Sequence, residues 1–161
     1  MNENTVVGAA GCEGTAAHGG RTPWRVVDIV VAAVLGVACG VLFLVWNSVG
    51  YAWFMAMDAI TPGLGGLAVG IWLIGGVIGA LVIRKPGAAT FVEVLAASVS
   101  AGLGSQWGLE TLYSGLAQGL GVEIIVALFL YRKFSLGVSM LAGAAAGVCA
   151  FCLELFTSGN L

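Results

Sequence analysis

The sequence has few of the side chains that keep a protein soluble in water. Of its 161 residues, 9% are charged and 60% are hydrophobic, and the formal net charge is −2. Soluble domains carry about 25% charged residues. This composition therefore excludes a water-exposed surface for most of the chain and indicates a protein that lies in lipid. The small negative charge also argues against nucleic acid as a partner.

The sequence also lacks the motifs on which many enzymes and ATPases depend. It has no G-x-x-x-x-G-K phosphate loop, no H-E-x-x-H zinc motif and no G-x-S-x-G nucleophile turn. Its one histidine is His18. Cys149 and Cys152 form a C-x-x-C within an apolar segment, for which buried packing is the first interpretation and metal or redox chemistry the alternative. We therefore expect a protein that is not an enzyme and that needs no cofactor or metal.

Basic residues occur at only three places, which lie before the first, after the second and after the fourth apolar run: Arg21, Arg25, Arg84, Lys85, Arg132 and Lys133. Lys and Arg concentrate in the cytoplasmic loops of membrane proteins. We therefore expect a multi-pass protein of the plasma membrane in which these three places and the N-terminus are cytoplasmic.

The apolar runs predict an all-α integral membrane protein with five transmembrane helices, because about 20 apolar residues cross the hydrocarbon layer. These helices are expected at 26–46, 63–83, 88–104, 110–131 and 136–156. The mixed segment 47–62 is predicted to be an outer loop or a short amphipathic helix over the bundle. Residues 1–22 are rich in Gly, Ala and Thr and predict a disordered tail, which leaves 23–161 as the transmembrane helical bundle.

Two carboxylates fall within these apolar runs, Glu93 in the third and Glu123 in the fourth. An ionisable group there costs roughly 2.5–3.5 kcal/mol to insert, so it faces the bundle interior or a wet cavity. One interpretation is a structural hydrogen bond between helices. The other is a pair of acceptors at the floor of a pocket, which would favour a cationic or amine-bearing ligand.

The fourth run has a polar face. Glu110, Ser114 and Gln118 recur every four residues and therefore lie on one side of the helix, which Glu123 does not share on an ideal helix. The glycines after Gln118 could loosen the helix, so that Gln118 and Glu123 reach one cavity. Alternatively, Gly115, Gly119 and Glu123 form a tight seam with another helix. The spacing alone leaves both open.

Four aromatic residues are candidates for the wall of such a pocket: Trp46, Tyr51, Trp72 and Trp107. Trp46, Tyr51 and Trp107 fall near the outer surface, where an interfacial belt is the simple explanation. Together they could instead enclose a flat cationic ring through stacking and cation–π contact. Trp72 lies in mid-span, where core packing and a pocket wall are equally compatible with its position.

Small residues recur every four positions along the first run, at Ala32, Gly36 and Gly40. Such a stripe lets another helix approach closely. It predicts either a seam inside the bundle or a docking face for a partner protein.

Several ordered motifs together resemble the YkoE family. They are W-R-V-V-D at 24–28, R-K-P-G-A-A at 84–89 followed by Glu93, G-S-Q-W-G at 104–108, Q-G-L-G-V-E at 118–123 and Y-R at 131–132. This family comprises substrate-binding S components of energy-coupling-factor (ECF) vitamin transporters that are linked to thiamine and its hydroxymethylpyrimidine precursor.

The resemblance implies a six-helix bundle that binds vitamin from outside and works with a membrane coupling subunit and cytoplasmic ATPases. It assigns Glu93, Trp107, Gln118 and Glu123 to the polar positions of the family and the small-residue stripe to the coupling subunit. Because the sequence predicts five spans, the last helix of the family bundle is expected to be missing here. The alternative function is a small membrane scaffold or assembly protein whose buried acids are structural.

Overall fold

The computed structural model describes residues 23–157, and the tail predicted for 1–22 lies outside these residues. The described part is all-helical. Its elements are α1 (Val26–Ile60), α2 (Gly66–Val69), α3 (Ile74–Ile83), α4 (Ala88–Gly102), α5 (Glu110–Leu128) and α6 (Leu136–Thr157). The sixth spanning helix that the resemblance implied is not among the described residues.

Within residues 23–157, four segments are long and apolar enough to cross a membrane: Val26–Ile60, Gly66–Ile83, Glu110–Leu128 and Leu136–Thr157. The remaining helix, α4, has 15 residues and at 1.5 Å per residue is only about 22 Å long. It lies at the centre of the bundle, with α1, α3 and α5 packed around it. The expected all-α membrane bundle is thus confirmed, with the short helix α4 at its core.

The first helix does not end where the sequence predicted. It runs through 35 residues to Ile60, so the prediction of an outer loop or separate amphipathic helix at 47–62 is wrong. Asn47, the first polar residue of this segment, is buried and faces the bundle, so the helix continues through it. The helix ends at Thr61, whose backbone is extended. Thr61 precedes Pro62, and a residue before a proline disfavours the helical conformation.

The second span is broken. α2 ends at Val69, residues 70–73 form turns, and α3 begins at Ile74. Turn hydrogen bonds satisfy part of the backbone at this helix break, for example from the Trp72 N–H to the Val69 carbonyl oxygen at 3.0 Å. Lipid cannot satisfy the groups that remain, and side chains from α4 and α5 reach them.

The small-residue stripe of α1 packs against α4. Ala32 is fully buried, and a Cβ added at Gly36 would lie 2.7 Å from the Leu95 side chain. At Gly40 it would lie 2.7 Å from Val99 and 2.8 Å from the carbonyl oxygen of Ala96. We therefore correct the assignment of this stripe to a partner protein: it is an internal seam, because α4 already occupies it.

One end of the bundle collects the basic residues of the described chain. Lys85 forms an ion pair with Asp28 at the start of α1, and the Trp24 indole donates to the Pro86 carbonyl at 3.1 Å. The Arg84 guanidinium lies 4.9 Å from the ring centre of Phe134. Phe134 follows directly after Arg132 and Lys133 in the chain. We call this end, where α1, α4 and α6 begin, the basic end, and the opposite one the open end.

Candidate functional site

A cavity of about 360 Å³ lies toward the open end of the bundle. Helix α1, the helix break, α4, α5 and α6 all contribute to its wall. Five of the seven residues predicted from the sequence as ligand contacts line it: Tyr51, Trp72, Glu93, Trp107 and Gln118. The structure thus brings together side chains that are up to 67 positions apart, from Tyr51 to Gln118.

Glu93 lies in the floor of the cavity and is 1% exposed. Its Oε2 accepts the backbone N–H of Gly76, the third residue of α3 and one of the donors that the start of a helix leaves unpaired. The carboxylate also lies at the positive end of the helix dipole, which favours a negative charge. Gly75 makes this approach possible, because a Cβ there would lie 2.6 Å from Oε2.

Gln118 connects Glu93 to the helix break. Its amide fits its surroundings when the nitrogen donates to Glu93 Oε1 at 3.2 Å and to the Trp72 carbonyl oxygen at 3.0 Å, while the oxygen accepts from the Ser114 hydroxyl at 2.8 Å. This orientation is assigned from the hydrogen-bond network. It gives the cavity floor a linked carboxylate and amide that are both aimed at the break.

Asn47 organises the upper wall of the cavity, although no sequence pattern assigned it to the site. Its oxygen accepts the Trp72 indole N–H at 2.8 Å. Its amide nitrogen donates to Ser105 Oγ at 3.0 Å and to Ser100 Oγ at 3.4 Å. Asn47 is 6% exposed and joins α1 to α4, to the helix break and to the loop that carries Trp107.

Aromatic rings form the mouth of the cavity. The rings of Tyr51 and Trp107 meet edge to face with centroids 5.6 Å apart, and Tyr51 stacks with Phe54 at 6.3 Å. All three line the cavity, as does Trp72 below them. Such rings can stack on a flat ligand, and their faces attract a positive charge.

Glu123 does not line the cavity. Its carboxylate lies at the start of α4, where it accepts the backbone N–H of Gly87 at 2.6 Å and of Ala89 at 3.2 Å, together with the Tyr131 hydroxyl. We therefore revise its predicted role from ligand contact to helix cap. One interpretation of the sequence placed both acids at the floor of a pocket, but Glu123 faces the basic end and only Glu93 faces the cavity.

Trp46 also lies outside the cavity wall. Its indole N–H donates to the Ala68 carbonyl oxygen at 2.9 Å, and its ring packs edge to face on Trp53 with centroids 6.2 Å apart. Trp46 thus fastens α2 to α1. It supports the segment that carries Trp72 instead of meeting a ligand itself.

The charges that line the cavity are all negative. Three carboxylates contribute to its wall, Glu93 at the floor and Glu110 and Glu154 nearer the mouth, and none of the lining residues is Lys or Arg. Glu110 could be found from its four-residue spacing to Ser114 and Gln118. Glu154 carries no such pattern and is recognisable only from the packing of α6. The cavity therefore suits a small, flat, cationic or amine-bearing molecule.

Comparison with known proteins agrees with this architecture. The model of a family described as "ABC-type cobalt transport system, permease component" matches residues 27–149. YkoE of Bacillus subtilis (strain 168), named as an HMP/thiamine permease protein, is 37% identical over 138 residues, which are 84% of this chain and 67% of YkoE.

A solved structure extends the likeness from sequence to fold. A crystal structure of an S component of an ECF transporter matches with a TM-score of 0.76 at 36% identity, covering 85% of this chain and 68% of the other. The family model, the relative and the structure all point to membrane transport. The chain belongs to the YkoE family of S components, the substrate-binding membrane subunits of ECF importers.

Proposed function

We propose that the cavity binds thiamine or its hydroxymethylpyrimidine (HMP) precursor. The name of YkoE mentions both compounds. The observation that carries the proposal is the combination of an aromatic mouth with a floor formed by Glu93 and Gln118. An aminopyrimidine ring offers N–H donors to a carboxylate and a flat face to aromatic side chains, and the thiazolium of thiamine adds the positive charge that the wall favours.

The broken second span supports a binding role. Transporters place substrates where spanning helices are interrupted, because free backbone groups become available there. Here the Trp72 carbonyl oxygen and the Gly76 N–H both belong to such an interruption and are held by Gln118 and Glu93. A ligand that reaches these two side chains exchanges hydrogen bonds with groups already oriented for it, which lowers the cost of binding.

The proposal includes an orientation in the membrane. The basic end carries Arg25, Lys85 and Arg132, and the general excess of Lys and Arg in cytoplasmic loops supports a cytoplasmic position for it. The N-terminus is then cytoplasmic and the cavity opens outward, as uptake requires. A fluorescent protein that folds only in the cytoplasm, fused before Met1, should fluoresce in cells; absence of fluorescence from an inserted fusion would contradict this orientation.

The proposed partners are a membrane coupling subunit and cytoplasmic ATPases, because the chain has no phosphate-binding loop to drive uptake itself. The small-residue stripe is occupied by α4 and is not offered as their docking face. Co-purification of the chain with a coupling subunit and its ATPases tests this assignment. Transport of thiamine by the chain alone would refute it.

Isothermal titration calorimetry on the purified protein tests the ligand. We expect saturable binding of thiamine or HMP, and no binding of a basic compound without a flat ring, such as spermidine. Because the family description names cobalt transport, Co²⁺ is the appropriate third titrant. Binding of Co²⁺ without binding of either pyrimidine compound would overturn the proposal, and so would the absence of any binding, which the scaffold alternative predicts.

A further inference from the structure

The mouth of the cavity carries two carboxylates that do not belong to the floor formed by Glu93 and Gln118. Glu110 is the first residue of α5, and Glu154 lies in the last turn of α6. Both side chains are exposed, and both line the cavity. Within residues 23–157 neither carboxylate has a hydrogen-bond or ion-pair partner. Their charges are therefore available to whatever enters.

Helix stability explains one of these acids and not the other. A carboxylate at the start of a helix is stabilised by the helix dipole, so Glu110 has a structural reason for its place. Glu154 lies far from the first turn of its helix, so the helix dipole gives it no such stabilisation.

The mouth offers no cationic side chain to an anion, because none of the described residues that line the cavity is Lys or Arg. The N-terminus of α5 lies at the mouth and could attract a negative group, but Glu110 occupies its first turn. An entering phosphate would lose its water without gaining a cationic partner, which is costly for an ionised group.

We propose that Glu110 and Glu154 act as a charge filter that admits the uncharged alcohol or the cation and rejects phosphate esters of the same molecule. A phosphate ester carries about −1.5 to −2 charges at pH 7, and it would meet two like charges at the mouth. The inference rests on the proposed function, since it concerns which chemical form of the vitamin the cavity takes. It assigns specificity to residues that need not touch the ring.

The test compares thiamine with thiamine monophosphate by calorimetry on the full chain in lipid nanodiscs. We expect the wild-type protein to bind thiamine at least about 100-fold more tightly than the monophosphate. In the variant that combines Glu110→Gln with Glu154→Gln, this ratio should fall at least about tenfold, mainly through tighter binding of the monophosphate.

Asp58→Asn is the matched control. Asp58 lies near the same end of the molecule and accepts the Gly63 N–H at 2.8 Å, but it does not line the cavity. This variant removes one negative charge from the same end and should leave the ratio unchanged. A ratio that shifts equally in Asp58→Asn would overturn the filter, because a general surface charge would then explain it.

Salt provides a second measurement that does not depend on the folding of a variant. Charges at an exposed mouth are screened as ionic strength rises, so the wild-type affinity for the monophosphate should increase with salt while the preference for thiamine narrows. The filter alone is overturned if the protein binds thiamine and its monophosphate equally tightly. It is also overturned if the ratio of the two affinities changes neither with salt nor in the double variant. If neither compound binds, the proposed function and the filter both fail.

Discussion

Substitutions of Glu123 and Glu93, the two acids that lie within apolar runs, should differ in their effects on stability and on thiamine binding. Glu123 caps the start of α4 through the N–H groups of Gly87 and Ala89. Loss of an N-terminal cap costs about 0.5–2 kcal/mol, so Glu123→Ala should lower the free energy of unfolding by about 1–2 kcal/mol. Because Glu123 does not line the cavity, the thiamine affinity of the folded protein should stay within about twofold.

Glu93→Gln is the matched comparison, since Glu93 also holds a helix start but faces the cavity. The substitution keeps one oxygen for the Gly76 N–H and removes the charge and one acceptor. We expect the thiamine affinity to fall at least about tenfold, which corresponds to about 1.4 kcal/mol.

Two measurements distinguish the effects of the two substitutions. Equilibrium unfolding by SDS in mixed micelles gives the stability, and calorimetry gives the affinity. The reasoning is refuted if Glu123→Ala weakens thiamine binding tenfold at unchanged stability, or if Glu93→Gln binds thiamine as the wild type does.

Two further predictions concern the support of the site. Gly40→Ala should lower the free energy of unfolding by about 1–3 kcal/mol through overpacking, because its Cβ would lie 2.8 Å from the Ala96 carbonyl oxygen. The control Gly143→Ala adds a Cβ in open space and should be neutral or stabilising. Equal effects of the two substitutions in SDS unfolding would contradict the α1–α4 seam. Asn47→Leu should weaken thiamine binding by about tenfold, because the Trp72 indole loses its hydrogen-bond acceptor. Asn47→Asp keeps that acceptor and should retain most of the affinity. Equal losses of thiamine affinity in both variants, measured by calorimetry, would contradict the role of Asn47 in holding Trp72.

The membrane architecture was predictable because hydropathy and charge act locally. Apolar runs fix the spans, and the basic pairs mark their alternate ends, so neither inference needs to know which helices touch. The end of α1 was not predictable in this way. Asn47 interrupts the apolar pattern, and only the packing of α4 and the helix break against it shows that a polar residue there points inward.

The roles of the carboxylates and glycines depend on contacts between distant segments. Glu93 and Glu123 look alike in the sequence, since each is an acid inside an apolar run. Which helix start lies opposite each of them is decided by the arrangement of α3 and α4. The stripe at Gly36 and Gly40 likewise predicts a close helix neighbour but cannot say that the neighbour is α4.

The most direct test of the central claim is a structure of the full chain determined with thiamine bound. We predict ligand density inside the cavity, with the aminopyrimidine against Glu93 and Gln118 and a ring face on Trp72 or Tyr51. Density for thiamine at any other place, or an unoccupied cavity at a saturating concentration of thiamine, would contradict the account.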